Sequence, residues 1–485
     1  MSRQDNTSKT VNYHISGGYG GLGGTGHGNG VGGRGGTGEG PTVNIDNSTN
    51  KISVNQGQGL EEVLYKWLDS PPTTKDRQHE LRKLHHKSTG GWLQHDFRFI
   101  RWKTTPSSLW IKGISGTGKS VLSSTIIEEI VKACPDRSAV AYFYFDFRNE
   151  RQHMDIMLRS IIWQLSGRSP SPHSALHRLY KSLGNGTIHP QPIDLQGVFK
   201  DLHSELDQTY IVIDGLDECN KSDRKPLIEF IHSLCHPAKY APHLLFTSQP
   251  LEEFQTAFKD ATFIELGSWV SNDDIRSFVG SEVTRVGNWA SNDNYAKNVT
   301  EQIVQKSHGM FRMAACLLIE LRDCDFREDV EETLAGLPAD LFGIYSRFLT
   351  RATNIPRRTV FIQAIFRWLV FSTRELTSND LADALSFPLA DPKFDFSNPA
   401  KSIYDPNRRG GNHDIFKLLE GLIVIKNERW DKSMAFAHSS VKDYILSPQF
   451  QQEFGAIINL TKNVSHKFIT QTCVRYLLIL LTPNI

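Results

Sequence analysis

The sequence predicts an α/β protein: a parallel sheet with helices on both faces, then mostly helical units with a small β-hairpin, preceded by a disordered glycine-rich tail. Three observations carry this. An apolar run, a glycine-rich loop and a helically spaced segment follow one another over residues 108–131. Five β-prone runs alternate with helical segments up to about residue 268. Beyond that point apolar residues recur mainly at helical spacing.

Composition bounds the rest. A chain of 485 residues exceeds one small core, so several domains are expected. A net charge of +1 supplies no field for nucleic acid or an anionic membrane, and neither is an expected partner. Six cysteines (134, 219, 235, 316, 324 and 473) lack metal-ligand spacing, which suits reduced thiols and a cytoplasmic location. No charged-then-apolar leader opens the sequence, and runs such as Tyr476–Leu481 are too short to span a bilayer.

Residues 1–52 form the tail. From Gly17 to Gly40 more than half the positions are glycine, which offers little apolar surface against a large ordering entropy. Flexible coil is one reading. Thr10–Ile15, Thr42–Ile45 and Lys51–Asn55 are short, β-branched, Asn-rich and nearly uncharged, so cross-β stacking is the other. Residues 53–105 are a helical lead-in: Leu60, Val63, Leu64, Trp67 and Leu68 share one face, and Pro71-Pro72 ends the helix. Its later aromatics, Trp92, Phe97, Phe99 and Trp102, either cover a nucleotide base or pack against the neighbouring domain.

Residues 106–268 carry the chemistry. Ser108–Lys112 reads as a strand, Gly113–Ser120 as G-x-x-x-x-G-K-S, and Val121–Val131 as a helix. That string in that setting is a phosphate-binding P-loop. Gly113, Gly116 and Gly118 let the backbone N–H groups of Ser115, Gly116, Thr117, Gly118, Lys119, Ser120 and Val121 turn onto phosphate oxygens. Lys119 reaches the β- and γ-phosphates of a bound nucleotide, and the Ser120 hydroxyl ligates Mg²⁺. Ser138–Phe145 is an interior strand and Met154–Leu165 a helix. In Tyr210–Glu218, Asp214 emerges at the end of a strand, the ligand-facing end of a parallel sheet, where it holds Mg²⁺ directly or through water. Asp217 or Glu218 then orients or deprotonates the attacking water, as in a Walker B segment. Leu244–Ser248 and Thr262–Leu266 complete five strands.

Residues 269–335 predict a small helical domain, and 336–455 a winged-helix-like domain. In the latter, Gly421–Ile425 and Met434–Ala437 form a hairpin beside the helix Ser439–Leu446, after a polar loop over 390–412. Residues 456–485 begin a further helical segment.

The order of these motifs resembles the NACHT family of signal-transduction (STAND, NOD-like receptor) P-loop NTPases, most of all its fungal members. The matching strings are GISGTGKS at 113–120, YIVIDGLDE at 210–218, FTSQP at 246–250, SHGMFRMAACLL at 307–318, LPADLFGIYSRFL at 337–349 and HSSVKDYIL at 438–446. The resemblance implies a switch that holds ADP in a closed state, exchanges it for ATP and forms homo-oligomers to signal, often toward cell death in fungal non-self recognition. It also places His438 against the ADP phosphates. Two features depart from it. Gln249 stands where the family usually has an arginine that senses the γ-phosphate, unless Arg224 takes that role, and no C-terminal repeat is detectable. A continuously turning-over ATPase and a nucleotide-stabilised scaffold signalling through its tail are the competing readings.

Overall fold

The computed structural model describes residues 42–46, 51–55 and 57–481, apart from 136, 149–152, 237–240, 292, 410–415, 418 and 428–431. The expectations for Thr10–Ile15 and Gly17–Gly40 lie outside the described residues. Of the three β-prone pieces, two pair: β1 (Thr42–Asp46) runs antiparallel to β2 (Lys51–Asn55), with Val43 opposite Val54 and Ile45 opposite Ile52.

The central sheet comprises β3 (Ser108–Gly113), β4 (Ser138–Tyr144), β5 (Gln208–Asp214), β6 (His243–Ser248) and β7 (Thr262–Leu266). Its order is β4-β5-β6-β3-β7 and every neighbouring pair is parallel. Each crossover carries at least one helix, as parallel pairing demands. The loop after β3 and the acidic turn after β5 therefore open at the same, C-terminal edge.

Successive side chains alternate between the two faces. Trp110, Ile211, Ile213, Leu244 and Phe246 enter one core; Leu109, Ile111, Tyr210, Val212 and Leu245 enter the other. Burial on both sides explains why these strands read as unbroken apolar runs. The lead-in helices share these cores. Leu64, Trp67 and Leu68 cover the first face, and Leu81, Phe99 and Trp102 the second. Trp102 stacks on Phe99 at 5.6 Å and donates from Nε1 to Leu244 O at 3.0 Å, while Trp92 donates to Asp274 at 3.1 Å. Those three aromatics are packing residues; Phe97 stays exposed.

Past β7 the helices Ser268–Val286, Asp293–Ser307, Phe311–Glu320, Arg327–Ala335, Leu341–Thr353 and Pro356–Phe371 follow. A three-stranded antiparallel sheet, β8 (Leu376–Thr377), β9 (Ile423–Asn427) and β10 (Lys432–Phe436) in the order β8-β10-β9, precedes the helix Ser439–Ile445. One apolar core running from Ile275 to Leu460 joins all of these. Among the described residues no helix is long and apolar enough to cross a membrane. None of the six cysteines is in a disulfide.

Candidate functional site

Where β3 ends, the chain turns tightly. Gly116 and Gly118 lie at φ +87° and +90°, in the left-handed region that favours glycine. A Cβ at Gly113 would stand 2.7 Å from Thr117 Oγ1, and one at Gly116 would stand 2.8 Å from Arg312 Cβ. Thr117, buried, closes the loop by donating to Ile114 O at 2.9 Å. Lys119 and Ser120 open the helix Lys119–Ala133, whose N-terminal N–H groups make an anion cradle. Lys119 Nζ donates to Gly113 O at 2.8 Å and Ile114 O at 3.1 Å, across the loop it serves.

The acidic turn supplies the opposite wall. Asp214 is 1% exposed, and its Oδ1 accepts from Ser123 Oγ at 2.7 Å and Thr247 Oγ1 at 2.8 Å. It thus ties β5 to β6 and to the helix behind the P-loop. Asp217 is clamped by one residue: Gln249 donates from its backbone N to Oδ1 and from Nε2 to Oδ2, both at 2.9 Å. Glu218 Oε2 accepts from Phe147 N at 2.8 Å. Enclosure of its carboxyl, then the neighbouring Asp146 and Asp217 charges, push Glu218 up to about 8. Burial works the same way on Asp146, but the Arg77 and Arg148 guanidiniums overcome it and hold that carboxyl below the usual range. With a pKa of about 8, Glu218 has the proton affinity of a base near neutral pH.

The structure brings together residues far apart in sequence. Ser115, Gly116, Gly118, Lys119 and Ser120 face Gly215, Asp217, Glu218 and Gln249 across one pocket, and His438 and Ser439 close it. Gly113, Thr117, Val121 and Asp214 stand off the pocket wall and shape it from behind. Ser439 Oγ lies 3.4 Å from Ser115 Oγ, although the two are 324 residues apart. His438 caps the helix Ser439–Ile445: its Nδ1 accepts from Ser440 N at 3.2 Å and lies 2.8 Å from Ser440 Oγ. Burial, then the charges of Arg312, Lys119 and Arg77, push its pKa down to about 3. The imidazole is therefore neutral, and with Nδ1 accepting, its proton sits on Nε2.

The positions weighed for an arginine sit differently around the pocket. Gln249 lines the pocket, and its side-chain amide donates to Asp217. Arg224 is not on the pocket wall. It holds the acidic turn from outside, donating to Asp217 O, to Cys219 O at 3.3 Å and to Glu253 at 2.8 Å. The arginine on the P-loop is Arg312, whose backbone N donates to Gly116 O at 3.1 Å, while Phe311 packs over Gly118. Sequence reasoning had no signal for it beyond its place in the string 307–318, since an arginine at the start of an apolar helix reads as a solvated cap.

The parallel sheet, the P-loop and the order of the motifs are like those of NACHT-type P-loop NTPases. Comparison with known proteins agrees: the family model described as Nephrocystin 3, N-terminal, matches residues 88–249, from the lead-in to Gln249. The chain is 23% identical over 373 residues to the vegetative incompatibility protein HET-E-1 of Podospora anserina, which covers 73% of this chain. It spans about a quarter (26%) of the length of that curated relative. Among solved structures, a STAND protein with a tetratricopeptide repeat sensor from Pyrococcus horikoshii matches 77% of this chain and 46% of its own, at 12% identity and a TM-score of 0.35. The Aeropyrum pernix ORC1 protein, solved in complex with DNA, matches 81% and 98%, at 14% identity and a TM-score of 0.33. Structural likenesses of this size bear on neither ligand nor partner.

Proposed function

We propose that this protein is a nucleotide-controlled signalling switch that holds ADP in the arrangement described and homo-oligomerises when ATP replaces it. One observation carries the reading: His438 and Ser439 line the same pocket as Lys119 and Ser120. Whatever fills that pocket touches the winged-helix-like unit as well as the P-loop, so its phosphate count biases how the two sit together. Backbone N–H groups of the loop, Lys119 and neutral His438 would bind the phosphates. Ser120, with Asp214 acting through water, would hold Mg²⁺, which supplies charge neutralisation on phosphate oxygens. Glu218, held by Phe147 N–H, would take the proton of the attacking water. The similarity to a vegetative incompatibility protein supports a role in fungal non-self recognition, including programmed cell death.

The test is the nucleotide content of the purified full chain, read by chromatography after denaturation, beside steady-state ATP turnover. A switch carries close to one ADP per chain and turns over slowly. Protein that emerges empty and hydrolyses ATP rapidly would overturn the reading in favour of a continuously working ATPase.

A further inference from the structure

Arg312 anchors a run of side-chain hydrogen bonds that ends at the pocket. Its Nε donates to Tyr345 Oη at 3.1 Å; Tyr345 Oη lies 2.8 Å from Ser440 Oγ; Ser440 Oγ lies 2.8 Å from His438 Nδ1. The guanidinium is also fixed by Gly421 O and lies over the Tyr345 ring at 5.6 Å. Tyr345 is 0% exposed and Ser440 4%, so water does not compete along the run.

A guanidinium has donors only. Tyr345 Oη must therefore accept from Arg312, which leaves its own O–H to donate to Ser440. Ser440 in turn points its hydroxyl proton at His438 Nδ1, which has none to give because it also accepts from Ser440 N–H. Every bond in the run consequently points the same way. Each donation polarises the next donor, so the last N–H is stronger than it would be alone. The same Arg312 is fastened by its backbone to Gly116 O, so the run begins on the P-loop and returns to its pocket.

We propose that Arg312 and Tyr345, acting through Ser440, are positioning residues that order these protons so that His438 presents Nε2–H, a neutral donor, to a phosphate oxygen of bound nucleoside diphosphate. The inference rests on the ADP-holding reading above and deepens it. The reversed tautomer would turn a lone pair toward the anion.

Dissociation of a fluorescent N-methylanthraniloyl ADP from the full chain, followed by stopped flow, tests this in a double-mutant cycle of Tyr345→Phe and His438→Ala. Tyr345→Phe keeps the ring and its arginine contact and removes only the hydroxyl. Release is expected to quicken about fivefold, the scale of one hydrogen bond, and Tyr345→Phe should add nothing once His438 is alanine. Unchanged release in the single variant, or an equal factor in both backgrounds, overturns the proposal. So does a His438→Ala protein that releases ADP like the parent. If the parent holds no ADP analogue, the switch reading falls and this one with it; if it does, only this one is at stake. Nitrogen-15 NMR of labelled histidine, with His438 assigned by loss of its signals in His438→Gln, gives a check that needs no Tyr345 variant. A neutral ring protonated at Nε2 between about pH 6 and 8 is expected, and protonation at Nδ1 overturns the proposal.

Discussion

Single residues decide the chemistry of the pocket, and their charges can be tested one at a time. Lys119→Ala removes the one lysine on the pocket wall described here, and ADP affinity should fall by about 1.5–3 kcal/mol, the worth of a charge-assisted bond; calorimetric titration reads this directly. Glu218→Gln should keep binding, since the amide oxygen can still accept from Phe147 N–H, and abolish single-turnover hydrolysis. It also has a stability signature whose sign is fixed. The folded-state pKa of Glu218, about 8, lies above its ordinary value of 4.5, so the folded protein holds this proton more tightly than the unfolded chain. The associated stability is complete below the unfolded pKa and is lost as pH rises through the folded one. Glutamine does not ionise, so Glu218→Gln should match the parent in thermal melts at pH near 4 and exceed it increasingly up to about pH 8. In the parent, hydrolysis should rise over the upper part of the same window as the carboxylate forms.

Whole elements show how much the sequence disclosed. All five central strands and the helix after the P-loop were legible: β5 and β6, buried on both faces, are apolar runs, the edge strands β4 and β7 are β-prone runs between helical segments, and Gly-Lys-Ser at a strand-to-helix junction admits few other folds. Of the polar stretch over 390–412, expected as a loop, the described residues 390–409 form turns with two short 3-10 helices, Pro399–Lys401 and Pro406–Arg409. Asp391, Asp395, Asn398 and Asp405 each accept from a backbone N–H two residues on, the local bonding that competes with regular structure. Pairings between distant elements were not legible. Nothing in the string Leu341–Thr353 says that Tyr345 meets Ser440, and nothing near Gln249 says that its amide clamps Asp217. Such contacts depend on crossing geometry, which periodicity does not encode. The turn before β9 offers a test at this scale. Gly421 sits at φ +83°, and a Cβ there would stand 2.5 Å from the Phe348 ring. Gly421→Ala should lower stability by about 1–3 kcal/mol in urea titration followed by tryptophan fluorescence, while wild-type stability would place that turn differently.

At the scale of the whole molecule, the glycine-rich tail and the nucleotide pocket should be separable. Deleting residues 1–41 removes a segment whose composition cannot form a packed core, so the shortened chain should melt at the parent's temperature and retain as much ADP. A markedly lower melting temperature would show that the tail is docked. The pocket, by contrast, is shared between the loops of the central sheet and the segment after β10. His438 is both its wall and the cap of the helix Ser439–Ile445, fastened at Nδ1 to that helix's first turn. An imidazole held in that way cannot follow a departing phosphate by swivelling about its own bonds; the helix has to travel with it. The consequence is kinetic. On the proposed switch reading, the dwell time of a bound nucleotide would be set by how often this helix parts from the P-loop, a first-order event in which free nucleotide takes no share. Raising the ATP concentration should speed replacement only to a plateau equal to that parting frequency, which makes the molecule a timer as much as a gauge.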